Sequence, residues 1–180
     1  PAEGQRLRPG CRRNGQPSDS PAPLTTFLSD SEHPHDVKEP PKSARRRARE
    51  FVLQGLYQWR VGGSDAAAIE AYAPEQEGFA KADREFFVGT LRGVIGQRET
   101  LVSQVTAHLD RPFSELSPIE ACVLLMGAFE RNNHPETPYR VVINESIELA
   151  KSFGGTDGHK YVNGVLDKIA AVVRADEVAA

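Results

Sequence analysis

From Ser43 onward the apolar residues recur with helical spacing, and no useful length of the chain alternates with a period of two. In the first such stretch, SARRRAREFVLQGLYQWR (43–60), a turn of about 100° per residue gathers Ala44, Ala48, Phe51, Val52, Gly55, Leu56 and Trp59 on one broad side. That side is predicted to be buried. Arg46, Arg49, Leu53, Tyr57 and Arg60 project to the other side and are predicted to face outward. Ser43 supplies an N-cap and Gly62-Gly63 a stop. A short Ala-rich helix follows from Ser64 or Asp65 and closes at Pro74. Two consecutive helices around Gly96 place Phe86, Phe87, Leu91, Val94 and Ile95, then Leu101, Val102, Val105 and Leu109, at helical intervals. Ser117-Pro118-Ile119-Glu120 reads as a capping box with proline at the first helical position. The helix it opens, IEACVLLMGAFE, is apolar on nearly all sides and should run through the centre of the domain. Thr137-Pro138 repeats the cap-and-proline device, and Phe153-Gly154-Gly155 ends that helix. A last helix, capped by Asp157 and running from about His159, carries Val162, Val165, Leu166, Ile169 and Val172 or Val173 on one face. Seven helices and no strand predict an all-α bundle.

The segment 1–41 breaks this pattern. It holds eight of the thirteen prolines and only scattered large apolar residues, so it cannot bury enough surface to offset its ordering entropy. It is predicted to be a disordered arm whose Arg6, Arg8, Arg12 and Arg13 are solvated or touch RNA weakly. The helical domain is placed at 42–175 and a tail at 176–180. At 180 residues and 39% hydrophobic, the chain can bury one substantial core.

Charge changes the picture further. Residues 1–41 hold five Lys/Arg and six Asp/Glu, 42–50 hold five and one, and 51–180 hold twelve and eighteen. The net −3 is therefore a basic helix start on an acidic body, which suits a polyanion at the arginines and a basic protein elsewhere. Cys11 and Cys122 offer neither a disulfide framework nor zinc spacing. No apolar run approaches the roughly 18 residues of a spanning helix, and no secretory leader is recognisable, so a soluble, cytoplasmic protein without a membrane role is expected.

The candidate chemistry is binding rather than catalysis. His33, His35, His108, His134 and His159 show no paired-ligand spacing. Glu145 and Glu148 share a helix without a nucleophile or base and read as a solvated face. The loop GGTDGHK (154–160) has three glycines but neither Walker A nor dinucleotide-binding spacing. No catalytic group, metal or cofactor is expected. What remains is cation beside aromatic, twice: the arginines with Tyr57, and Lys160 with Tyr161. Such pairs suit the phosphates and unstacked bases of single-stranded RNA, and equally a solvated charge run with the rings covered by neighbouring helices.

ARRRARE and LYQW (44–50 and 56–59), together with INESIELAKSFGGTDGHKYVNGVLDK (143–168), resemble the NusB family of bacterial transcription antitermination factors across about residues 42–173. The resemblance implies two packed three-helix groups with an additional helix. It also implies a protein that, with the ribosomal protein NusE, holds the boxA element of nascent ribosomal RNA and helps RNA polymerase pass terminators. Carried over by position, the family's arginine-rich motif falls on Arg45, Arg46, Arg47 and Arg49, and its second RNA-contacting motif on Lys160 and Tyr161. Tyr57 occupies a family aromatic position, Asp157 an acidic position that tunes RNA affinity, and Glu120 an acidic position on the NusE-facing side. The chain departs from the pattern in its arm, for which the resemblance offers no counterpart, and in Tyr161, where phenylalanine is frequent. A helical protein-interaction module without RNA contact stays open, as does an RNA-binding domain related to that of an RNA cytosine methyltransferase. Homodimerisation, which would hide the basic helix, is also open to such a bundle.

Overall fold

The computed structural model describes residues 42–173. The predicted arm, with Cys11, His33, His35 and its four arginines, and the predicted tail lie outside the described residues. Seven α-helices follow one another: α1 Ala44–Gly62, α2 Ala66–Tyr72, α3 Arg84–Gly96, α4 Arg98–Thr106, α5 Pro118–Asn133, α6 Tyr139–Phe153 and α7 Gly158–Val173. Short 3-10 turns at Ala73–Glu75, Phe79–Lys81 and Phe113–Glu115 complete the described residues, which include no strand. α1, α2 and α3 pack together as one group and α5, α6 and α7 as the other, with α4 laid against α5.

Local signals set most of the boundaries. The Ser43 hydroxyl accepts from the Arg46 N–H at 3.1 Å, and Asp65 and Asp83 cap α2 and α3 through their carboxylates. α1 stops at Gly63, whose φ of 70° is the left-handed backbone that glycine adopts without strain. The capping box at α5 forms in both directions, Ser117 Oγ accepting from the Glu120 N–H and Glu120 Oε2 from the Ser117 N–H, each at 3.2 Å. At α6 the expectation of a threonine cap fails. Pro138 itself stands at the N-cap position, without a side-chain cap bond, and Thr137 is buried beneath the turn.

α5 is the axis of the molecule, as its composition predicts: every residue from Ala121 to Arg131 is buried. It touches α1, α3, α4, α6 and α7. α1 lies between α3 and α5, and this position overturns the one-sided reading of its helical wheel. Arg49, Leu53 and Gln54 are buried along with Ala48, Val52 and Leu56, while Ala44, in the first turn, is exposed. A helix with neighbours on two sides needs two inward stripes, and a single projection merges the second with the solvent face. Phe51, Phe79 and Phe87 close the α1–α3 side as two edge-to-face pairs with ring centroids 5.1 Å apart. On α7, Val162, Val165, Leu166 and Ile169 are buried as expected, whereas Val172 is exposed.

Candidate nucleic-acid interface

The head of α1 carries four arginines within five residues, and the fold treats them differently. Arg45 is half-exposed, with Nε 3.6 Å from Asp83 Oδ2, Nη1 3.8 Å from Glu136 Oε1 and its guanidinium 5.2 Å from the Phe86 ring centroid. Arg46, also half-exposed, places Nη2 3.3 Å from Glu148 Oε2 on α6. Arg47 is half-buried and has no ion-pair partner among the described residues. Surface pairs of this kind contribute about 0–1 kcal/mol each, so the guanidinium groups can exchange partners.

Arg49 is a correction. Instead of facing outward it is 5% exposed, its Nε donates to Glu130 Oε2 at 3.0 Å, its Nη2 donates to Glu130 Oε1, and Nη1 lies 3.7 Å from Glu145. Its guanidinium covers the Phe86 ring at 5.2 Å. Burial pushes its pKa down, but the hydrogen bond and charge of Glu130, with the charge of Glu145, more than offset this and leave it raised. Arg49 therefore stays charged and joins α1 to α5 and α6; in this geometry it is not at a surface. The partner was visible in principle, since Glu130 is a carboxylate inside an otherwise apolar helix and must find a cation. Glu145 and Glu148, read from sequence as a solvated face, are instead the residues that hold Arg49 and Arg46.

Farther along α1, Tyr57 is half-buried with no hydrogen-bond partner for its hydroxyl among the described residues. Arg60 covers the Phe113 ring at 5.0 Å.

The second cluster gathers around the start of α7. Lys160 Nζ lies 2.8 Å from Asp157 Oδ1, both side chains being about three-quarters exposed at 73% and 75%. The Asp157 carbonyl accepts from the Lys160 and Tyr161 N–H groups at 3.1 and 3.5 Å. Tyr161, half-buried, donates its hydroxyl to Asp110 Oδ1 at 2.9 Å and lies beneath the Arg111 guanidinium at 4.5 Å. Asp110 and Arg111 have no signal in the sequence, because the contact spans 51 residues. Glu120 belongs to this neighbourhood too: a Cβ added to Gly158 would stand 2.9 Å from Glu120 Oε1, so the starts of α5 and α7 abut. α6 links the clusters, holding Arg46 and Arg49 on its glutamates and leading from its C-terminal end into Asp157, Lys160 and Tyr161.

Among the described residues no group of three or more His, Cys, Asp or Glu is placed to hold a metal ion, and no helix is long and apolar enough to cross a membrane. Cys122 is buried in α5, which pushes its thiol pKa up to about 12.

The sequence profile of the NusB family matches residues 46–171, which take in both clusters except Arg45. The chain belongs to the NusB family. The transcription antitermination proteins NusB of Dechloromonas aromatica and Ralstonia nicotianae are 80% and 54% identical to it over 157 and 153 residues, covering 87% and 85% of this chain and 96% and 99% of theirs. With such relatives along nearly their whole length, this NusB chain is a transcription antitermination factor. Residues 42–180 number 139, so the 157-residue match to the Dechloromonas aromatica protein takes in at least 18 residues of the arm. Among solved structures, T. maritima NusB superposes with a TM-score of 0.66 at 27% identity, covering 78% of this chain and 100% of that one. A chain from a complex of antitermination factors NusB and NusE with double-stranded RNA matches at a TM-score of 0.61 and 20% identity, covering 71% and 96%, and shares the NusB fold.

Proposed function

We propose that this factor acts in the cytoplasm by binding the single-stranded boxA element of nascent ribosomal RNA jointly with NusE, within the antitermination complex of RNA polymerase. The observation that carries this reading is the cation-bearing surface at the head of α1: Arg45 and Arg46 are half-exposed and their ion pairs are with surface carboxylates, with Arg47 beside them. Phosphates can displace such carboxylates. Lys160 and Tyr161 supply a second cation and an aromatic ring, and Tyr57 offers a ring and a hydroxyl with no hydrogen-bond partner among the described residues. Stacking one base on such a ring contributes roughly 1–3 kcal/mol. Arg49 contributes indirectly, by fixing α1 to α5. The solved complex of NusB and NusE with double-stranded RNA supports, by analogy, a protein that engages NusE and RNA together.

Fluorescence anisotropy of a labelled boxA single strand, with and without NusE over a salt series, tests the reading. Affinity should rise with the partner and fall with salt. Arg46→Ala should weaken binding and reduce the log–log salt slope by about 0.7, the contribution of one single-strand phosphate contact. An unchanged slope removes Arg46 from the RNA surface. Glu120 is proposed to face the basic ribosomal partner. Glu120→Gln keeps a side chain able to cap α5 while deleting its charge, so weaker NusE binding without a change in melting temperature is the expected outcome. Equal NusE affinity would place that interface elsewhere.

A further inference from the structure

Tyr161 is fixed from two directions by consecutive residues of the loop between α4 and the Phe113–Glu115 turn. Its hydroxyl donates to Asp110 Oδ1 at 2.9 Å, and Arg111 Nε donates to the same oxygen at 2.9 Å. One carboxylate oxygen thus collects a phenol and a guanidinium, and the guanidinium is drawn over the ring at 4.5 Å. The hydrogen bond from Arg111 first, and that from Tyr161 second, hold the Asp110 carboxyl below its usual range. The Nε edge of Arg111 is therefore occupied, whereas its Nη1 and Nη2 groups make no hydrogen bond to the described residues. Its side chain is 47% exposed. A guanidinium held in this way presents two parallel donors, the geometry that grips two oxygens of one phosphate.

We propose that Asp110, Arg111 and Tyr161 form a clamp for one nucleotide of the bound RNA. Arg111 takes the phosphate through Nη1 and Nη2, the Tyr161 ring takes the base on the face that the guanidinium does not cover, and Asp110 is a positioning residue that sets both. The device requires tyrosine, since a phenylalanine at 161 would have no hydroxyl to tether. The proposal rests on the RNA-binding reading above and adds to it two residues outside the basic motifs.

The test turns on a sign. Asp110→Ala removes the acceptor shared by Tyr161 and Arg111, and with it a negative charge from a surface that receives a polyanion, so electrostatics alone would tighten RNA binding. The clamp predicts the opposite, a loss of about fivefold, the low end of what one stacked base contributes. Arg111→Lys keeps the charge but loses the planar fork, and should also weaken binding. Asp110 and Arg111 are exposed, so thermal melts of both variants should overlay that of the parent. Labelled boxA RNA with NusE present is the probe, and Arg46→Ala is run in parallel. If the parent binds and Arg46→Ala weakens it, but Asp110→Ala binds as well as the parent or better, or Arg111→Lys binds like the parent, the clamp is wrong and the RNA reading stands. If the parent shows no salt-dependent binding, both fall. Weaker binding by both Asp110→Ala and Arg111→Lys, with parental melts, supports the clamp.

Discussion

Arg49→Ala should lower the unfolding free energy by about 3–5 kcal/mol, read as a shift of the urea midpoint at constant slope. The size follows from what is left behind. Glu130 is 4% exposed, and Arg49 is the cation that holds both of its oxygens. Removing the guanidinium strands a carboxylate inside α5 and uncovers the Phe86 ring. The double variant Arg49→Met with Glu130→Leu deletes both charges at similar volume and should recover most of the loss. A midpoint for Arg49→Ala close to the parent's would mean that Glu130 finds water or another donor, and that α1 is held by its apolar contacts alone. RNA affinity measured on Arg49→Ala has meaning only under conditions where the variant is folded. The family motif groups Arg49 with its neighbours, yet a loss of binding there would reflect a displaced α1.

Gly93→Val should be nearly as damaging, about 3 kcal/mol, at the upper end for an overpacked core. A Cβ built on Gly93 meets Phe129 Cζ at 2.2 Å and Cε2 at 2.3 Å, so α3 and α5 approach only because residue 93 has no side chain. Phe129 is 5% exposed and packs edge-on against His134, which leaves its ring little room to retreat. Shortening the obstacle should help: Phe129→Leu alone costs stability, but combined with Gly93→Val the losses should be less than additive. Additive losses in urea titrations would show that the two positions do not share one space.

Features made by residues close in sequence were legible. The Ser117–Glu120 capping box, the Gly63 stop and the all-round apolar face of α5 each depend on a few neighbouring side chains, and each stands where the pattern put it. Features set by a distant helix were not. Arg49 looked outward because a helical wheel assumes one buried side, and Leu53, apolar among the arginines, was the warning that α1 has two. The Pro138 start of α6 misled because proline at a boundary identifies a helix end without deciding which residue caps it. At the candidate interface the arginine block and the Lys160–Tyr161 pair could be named from sequence. Asp110 and Arg111 could not, since nothing local connects them to a ring 51 residues away.

The acidic neighbours of the surface cations bear on selection among nucleic acids. Arg45, Arg46, Arg111 and Lys160 each lie within 4 Å of a carboxylate of the same chain. An arriving phosphate replaces a native anion instead of meeting bare charge, so any single contact yields little. A strand long enough to make several replacements at once accumulates the gain, while a short or wrongly threaded polyanion does not. On the proposed RNA-binding reading the surface is self-masked, and its affinity should climb steeply with the number of nucleotides engaged, which would keep encounters with short or unrelated RNA brief.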